Sequence, residues 1–203
     1  MTSSTIPAAR APRGSVRDGR ERILAAAYEL FAAHGPDAVG VDAVVERAGT
    51  AKMTLYRHFP TKDALVVAVL DRREALWTDA LFSEAARRGA GPRDHLVALF
   101  EVLDEWVNAT SFDGCTFIAT LVASWPDRLD ILAAAGAHLD RIHERIVEMA
   151  RAAGLDGPEE IGWHWSLLMR GAIVSAQAGH RDAARIAGRI AAASLPEAPS
   201  GSR

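Results

Sequence analysis

Apolar residues recur every three to four positions along most of the chain, which is the spacing of one face of an α-helix. This pattern predicts helices over 17–34, 41–48, 51–59 and 62–88, and then over 93–108, 115–124, 127–153, 158–179 and 182–195. Glycine and proline separate these segments, for example at Gly35-Pro36 after the first helix and at Pro60 after the third. No segment has the alternation of a β-strand, and no repeat is present. The expected fold is therefore all-α.

The third predicted helix has two different faces. Leu55 and Phe59 are four residues apart and fall on one side, where they would pack against the first two helices. Long and polar side chains occupy the rest of its surface: Met53, Thr54, Tyr56 and Arg57. Together with the second helix and the turn at Gly49, this forms a helix-turn-helix pattern, whose second helix fits the major groove of DNA.

Short polar residues are expected to cap these helices. Thr50 is predicted as the N-cap of the third helix and Thr61 as the N-cap of the fourth, since a hydroxyl can accept a hydrogen bond from a free backbone N–H. Asp42 lies in the first turn of the second helix, where a carboxylate complements the helix dipole.

The charge of the chain is unevenly distributed. Residues 1–62 contain nine basic and six acidic residues, which gives +3, whereas residues 63–203 contain 14 basic and 20 acidic residues, which gives −6. Both lysines of the chain, Lys52 and Lys62, lie in the helix-turn-helix segment or directly after it. This asymmetry favours an N-terminal end that contacts phosphates.

The two ends of the chain, 1–16 and 196–203, have no periodic apolar face and are expected to be disordered tails. An alternative for the first is an arm whose Arg10, Arg13 and Arg17 enter a minor groove. No apolar run reaches the ~18–20 residues of a membrane span, and no secretory signal is present. A cytoplasmic protein without membrane contact is expected.

Residues 22–70 resemble the DNA-binding domain of TetR-type transcriptional repressors. The matching runs are ILAAAYELFAAHG, VDAVVERAG and TAKMTLYRHFPTKDAL. The resemblance implies a helix-turn-helix domain over 17–62 and a helical regulatory and dimerisation domain over 63–195. It further implies a ligand-responsive repressor that binds a palindromic operator as a homodimer and is released by a small molecule.

The resemblance also assigns a DNA-binding surface. The family residue matching Tyr56 contacts a phosphate, as does the one matching Lys62. The residues matching Thr50, Lys52, Met53 and Thr54 face the groove. The predicted DNA-binding residues are Thr50, Ala51, Lys52, Met53, Thr54, Tyr56, Arg57, His58 and Lys62. Tyr56 and His58 have an alternative role in packing, and the lysines as solvated surface residues. Gly40 replaces the Ser or Thr that the family often has there.

The last two predicted helices are rich in small residues, which lets helices approach closely. Two such helices from each subunit would form a four-helix bundle, as the resemblance also implies. The predicted dimer interface is Gly171, Ala172, Ser175, Ala176, Ile186 and Ile190. The alternative is that these residues pack within one subunit.

Large aromatic residues among small ones predict an apolar cavity in the C-terminal region, suited to an apolar or aromatic effector. Its candidate wall is Phe117, Leu121, Trp125, His138, His164 and Met169. Each of these is also explained as ordinary core. A metal site at His138, His143 and His164 is not favoured, because thiolate ligands are lacking and the first two do not share a helix face. No cofactor is expected, and Cys115 is expected to be buried, the alternative being a reactive thiol.

The alternative functions are a DNA-binding protein without a ligand and an all-helical enzyme. A DNA-binding regulator or scaffold without a small-molecule ligand has the same helix-turn-helix, and a defined operator would separate specific regulation from non-specific binding. An all-helical enzyme is not expected, because the chain has no glycine-rich phosphate loop and no nucleophile elbow.

Overall fold

The structure is a computed structural model that describes residues 18–110, 112, 114, 115, 117, 118 and 128–196. Every regular element within these ranges is an α-helix, which confirms the predicted all-α class. The helices are α1 (Gly19–His34), α2 (Val41–Ala48), α3 (Lys52–His58), α4 (Lys62–Arg88), α5 (Pro92–Asn108), α6 (Leu129–Ala152), α7 (Pro158–Gln177) and α8 (Ala183–Ala193).

The predicted helix ends agree with these bounds to within about two residues. The N-cap of α3 was predicted wrongly: Ala51 occupies the cap with an extended backbone, and no side chain caps the helix. The predicted cap of α4 is confirmed, because the Ala64 N–H donates to Thr61 Oγ1 at 3.0 Å. The tails at 1–16 and 197–203 and most of the helix predicted over 115–124 lie outside the described residues.

By packing, the described residues divide into two compact units. The first contains residues 18–79, 115, 117, 118 and 128–138, and the second contains 80–110, 112, 114 and 139–196. Helices α4 and α6 each contribute residues to both units. The domain boundary that the sequence places after Lys62 stays a prediction.

The N-terminal part of the first unit is a three-helix head in which α1 packs against both α2 and α3. Its core consists of Ile23, Ala27, Phe31, Val44, Ala48, Leu55 and Phe59, all buried. Burial of each large apolar side chain contributes about 1.5–3 kcal/mol, so this small core fixes α3 in place. Leu30, one residue before Phe31 on α1, is only half-buried.

In the second unit, α8 packs against both α5 and α7. The Trp165 side chain is fully buried and meets the Phe100 ring edge-on, with 5.3 Å between the ring centroids. Gly188 permits the close approach of α8 to α5, since a Cβ atom there would lie 2.8 Å from Phe100 Cβ. This contact gives α8 one buried side and leaves its other side exposed.

Candidate nucleic-acid interface

The turn between α2 and α3 is set by Gly49. Its backbone is left-handed, with φ 59° and ψ 44°, a conformation that glycine adopts without steric cost. The N–H of Thr50 donates to the Val45 carbonyl at 3.2 Å, which closes the end of α2. From α1, Arg22 Nη1 donates to the Gly49 carbonyl at 3.3 Å, so both α1 and α2 hold this turn.

Helix α3 is anchored by its apolar side, as predicted. Leu55 has no exposed surface and Phe59 is buried beside it at the end of the helix. The guanidinium of Arg20 lies over the Phe59 ring, 5.3 Å from its centroid. Thr54 is half-buried, with its methyl group close to Gly19 at the start of α1. Rotation of α3 would expose this anchor, so its outer face has a defined direction.

The outer face of α3 presents side chains that can reach a partner. Met53 is 81% exposed and Tyr56 is 41% exposed. Ala51, Lys52 and Arg57 are exposed as well. A row of apolar, hydroxyl and cationic groups on one short helix has the chemistry for thymine methyl groups, base edges and phosphates.

Lys52 is held by a partner that the sequence analysis did not assign. Its Nζ lies 2.8 Å from Asp42 Oδ1, in an ion pair between the first turns of α3 and α2. The hydrogen bond to Asp42, and then the charge of that carboxylate, raise the pKa of Lys52 above its ordinary value. Lys52 therefore stays protonated at neutral pH, and any anionic partner would have to compete with Asp42 for its ammonium group.

Two polar atoms at the ends of α3 point inward. Thr50 Oγ1 and His58 Nε2 are both buried, and neither has a hydrogen-bond partner within the described ranges. His58 as a whole is half-buried. Thr50 and His58, both predicted to contact DNA, therefore direct these atoms toward the protein interior. The exposed residues between them face outward.

The start of α4 carries the last predicted DNA-binding residue. Lys62 is half-buried in the first turn and is followed by Asp63. Arg128, just before α6, contacts the Asp63 carboxylate at 2.7 Å and also pairs with Asp37 in the connection between α1 and α2. Sequence reasoning missed this arginine, because its partners are 65 and 91 residues away along the chain.

The predicted effector-binding residues fall in different places. Phe117 and His138 are buried in the first unit with their rings stacked, 3.4 Å between centroids and 9° between planes. Met169 is buried in the second unit, and His164 is exposed on α7. Leu121 and Trp125 lie outside the described residues.

The stacked rings of Phe117 and His138 belong to a larger buried cluster. His138 Nδ1 is hydrogen-bonded to a carboxylate oxygen of Glu74, on α4. The Trp77 ring, also on α4, lies 6.3 Å from the imidazole. Small-molecule sites combine apolar and aromatic walls with a few polar groups, and this cluster contains both kinds of side chain.

The predicted dimer residues divide into exposed and buried ones. Gly171, Ile186 and Ile190 are exposed and Ser175 is half-buried, whereas Ala172 and Ala176 are buried. All of them except Ala176 border a groove of about 630 Å³ between α7 and α8. Further large apolar side chains are exposed on α7, namely Trp163, Leu167 and Val174. The two helices therefore expose an apolar face that a monomer leaves in water.

Other kinds of site find no support in the part of the chain that the structure describes. It contains no group of three or more His, Cys, Asp or Glu side chains that could hold a metal ion. Cys115 is buried. None of the described helices is both long and apolar enough to cross a membrane.

Comparison with known proteins agrees with this geometry. The family model described as "Bacterial regulatory proteins, tetR family" matches residues 23–69, which contain α2, α3 and most of α1. The chain is 36% identical over 95 residues to the HTH-type transcriptional activator FasR of Mycolicibacterium smegmatis, and 32% identical over 149 residues to the HTH-type transcriptional repressor KstR of Mycobacterium tuberculosis.

These alignments cover 45% and 73% of this chain, and 42% and 64% of the two relatives. The chain therefore spans less than two thirds of the length of either relative. Among solved structures, a TetR-type transcriptional regulator of Streptomyces avermitilis superimposes with a TM-score of 0.70 at 27% identity, over 81% of this chain and 88% of that one. The likeness to solved structures thus extends well beyond the helix-turn-helix.

Proposed function

Because this chain is a TetR-type DNA-binding transcriptional regulator, we propose that it binds a palindromic operator as a homodimer, represses transcription there, and is released by a small-molecule effector. The observation that carries the proposal is the orientation of α3. Leu55 is fully buried while Met53 and Tyr56 are exposed, so the helix is fixed in the head and free to enter a major groove.

Roles for the individual side chains combine their exposure with the roles that the family resemblance implies. Tyr56 and Lys62 contact phosphates and set the register, whereas Lys52 and Met53 face base edges. Met53 suits the methyl group of a thymine, and Lys52 suits the acceptors of a guanine. Arg57, at the exposed end of α3, adds a further phosphate contact.

Repression is favoured over activation because the alignment with the repressor covers more of this chain than the alignment with the activator. The relative named as an activator matches 45% of this chain, whereas the relative named as a repressor matches 73%. The longer alignment extends past the helix-turn-helix into the helical remainder of the chain.

The proposed dimer forms through α7 and α8. Large apolar side chains line these helices on the side facing water. Ile190, for example, is 52% exposed. A second copy of the same face would cover them around a two-fold axis, and such an axis matches an inverted-repeat operator.

The proposed effector acts at the aromatic cluster in the first unit. Glu74 and Trp77 of this cluster lie on α4, the helix whose first turn carries Lys62. The twelve residues from Lys62 to Glu74 span about 18 Å of helix at 1.5 Å per residue. A displacement of α4 at the cluster would therefore move a DNA-contacting residue. The expected coupling is about 1–3 kcal/mol between effector and DNA. An effector that binds here and leaves DNA affinity unchanged would contradict this mechanism.

Specific DNA binding is tested by selection from a random-sequence duplex library. The wild-type protein should enrich an inverted repeat. Tyr56→Phe should weaken binding to the enriched duplex and to a scrambled duplex alike, by about 1.5–3 kcal/mol, because one hydrogen bond to a charged group is lost. Met53→Ala should enrich a different sequence. The proposal fails if no sequence is enriched.

The dimer is tested by sedimentation at micromolar concentration. Ile190→Glu should shift the protein toward monomer, because it places a charge in the α7–α8 face. Leu129→Glu is the matched control, since Leu129 is also exposed but lies at the start of α6. A stable monomer of the wild-type protein would contradict the dimer.

A regulator that binds DNA without an effector remains the second candidate. The same α3 geometry supports it, and the two differ only in the use of the aromatic cluster. A compound that raises the unfolding temperature of the wild-type protein, but not of Phe117→Ala, and that releases the enriched duplex would exclude it.

A further inference from the structure

Arg128 makes contacts that the proposed DNA-binding surface does not include. It lies one residue before α6, in the same compact unit as the three-helix head. Its Nη2 is 2.7 Å from Asp63 Oδ1, and its Nη1 forms an ion pair with Asp37 Oδ1. The side chain is only 22% exposed, so the guanidinium is partly withdrawn from water.

The two contacts use the shape of a guanidinium. Its nitrogens lie in a rigid plane and donate in fixed directions, so one arginine can hold two carboxylates at a defined separation. Burial lowers the pKa of Arg128, but the hydrogen bond and charge of Asp63, with the charge of Asp37, outweigh it and leave the pKa raised. The group is therefore permanently charged. A lysine would supply the same charge as a single point.

The two carboxylates lie on opposite sides of the helix-turn-helix along the chain. Asp63 follows Lys62 in the first turn of α4, directly after the proposed recognition helix. Asp37 lies in the connection between α1 and α2, directly before the helix-turn-helix. Arg128 thus contacts the chain on both sides of the helix-turn-helix, 65 and 91 residues away in sequence.

From this geometry we propose that Arg128 is a positioning residue for DNA binding, which fixes the first turn of α4, and with it Lys62, by holding Asp63 and Asp37 together. The inference rests on the proposed role of Lys62 as a phosphate contact. Arg128 itself need not touch DNA. Loss of the pairing frees the start of α4, so that Lys62 no longer sits at one defined position relative to α3.

The first test measures binding of the enriched duplex by fluorescence anisotropy at several salt concentrations. Arg128→Gln should weaken binding about tenfold and reduce the slope of log K against log salt by about one, since one phosphate contact is lost. Arg128→Lys should recover only part of the affinity. The matched control is Arg151→Gln, which removes the same charge from an exposed pair with Glu159 in the other unit.

Asp63→Asn separates positioning from simple electrostatics. Removal of a negative charge beside Lys62 would strengthen DNA binding if charge alone mattered. Positioning predicts the opposite sign, a weakening of about three- to tenfold, with no further loss in the double variant that also carries Arg128→Gln. Stronger binding by Asp63→Asn, or an Arg128→Gln protein that binds like Arg151→Gln, would overturn the proposal.

A second readout needs no DNA and so distinguishes failure of this inference from failure of the proposed function. Amide hydrogen exchange at residues 61–66 should be faster in Asp63→Asn and in Arg128→Gln than in the wild-type protein and in Arg151→Gln. Unchanged exchange there in both variants would overturn the positioning role, whatever DNA the protein binds. Asp63→Asn keeps one of the two ion pairs, so it carries the test even if Arg128→Gln does not fold.

Discussion

Individual side chains in the head are paired before any DNA arrives. The ammonium group of Lys52 is bound to Asp42, and the guanidinium of Arg47 is bound to Glu29 at 2.6 Å. Both pairs are well exposed, so each contributes little to folding stability. For Lys52, whose DNA contact is proposed, the pairing matters for binding instead, because a phosphate or base would have to displace the Asp42 carboxylate to reach its ammonium group.

Asp42→Asn should therefore strengthen DNA binding. It frees Lys52 and removes a negative charge from the DNA-facing side of the head, so the slope of log K against log salt should become steeper by about 0.9. The pKa of Lys52 should fall toward its ordinary value when its carboxylate partner is removed. Affinity measured between about 50 and 200 mM salt checks this.

Glu46→Gln is the control for Asp42→Asn, since Glu46 is an exposed acidic residue on the same helix. It should change affinity less. Equal or weaker binding by Asp42→Asn would mean that the carboxylate orients Lys52 rather than competing for it.

At the scale of whole elements, the second unit depends on close helix contacts. Where α6 meets α7, a Cβ atom on Gly162 would lie 2.4 Å from Val147 Cγ2 and 3.0 Å from His143 Cε1. No side chain fits in that space without displacing its neighbours. Gly136 lies on the part of α6 that belongs to the first unit, and no atom of another element among the described residues lies within 4 Å of such a Cβ there. Contacts among the described residues therefore do not require a glycine at this position.

Substitution of these two glycines by alanine should have opposite effects. Gly162→Ala should destabilise the fold by about 1–3 kcal/mol, because the added methyl overpacks the α6–α7 contact. Gly136→Ala should stabilise it by about 0.5–1 kcal/mol through the better helix propensity of alanine. Urea unfolding followed by circular dichroism measures both. A Gly162→Ala protein as stable as the wild type would show that the two helices separate easily.

Helix periodicity was sufficient to predict α3 and its two faces, because Leu55 and Phe59 are close in sequence and share one side of the helix. The partners of Arg128 could not be predicted in this way. A charged residue carries no periodic signal, and which carboxylates it meets depends on how distant helices pack. The N-cap of α3 was also missed, since Thr50 has the right chemistry but its Oγ1 is turned inward.

For the molecule as a whole, the net charge of +3 over residues 1–62 does not come from the helical head. Residues 18–62 contain six basic and six acidic residues, so this part of the head is electrically neutral. The entire excess of three positive charges comes from Arg10, Arg13 and Arg17. The net positive charge that favours sequence-independent attraction to DNA therefore comes from residues that precede the helical head, in addition to the proposed phosphate contacts within it.

Replacement of these three arginines by glutamine should lower the affinity for every duplex, operator or scrambled, without changing the sequence preference. The salt slope should fall by up to about 2.7, since each phosphate neutralised contributes about 0.9. Replacement by lysine, which keeps the charge, should leave the slope unchanged. An undiminished slope in the glutamine variant would show that these residues do not reach the backbone of the DNA.

The exposed thioether of Met53 makes the recognition helix vulnerable to oxidants. Met53 is 81% exposed, whereas Met169 is 2% exposed, so peroxide should convert Met53 to its sulfoxide long before Met169. The sulfoxide is polar and chiral, and it can no longer fit against a thymine methyl. Peroxide treatment should weaken operator binding in the wild-type protein but not in Met53→Leu, and methionine sulfoxide reductase should restore it. Preparations of this protein should therefore lose activity on ageing in air, with no change in their fold.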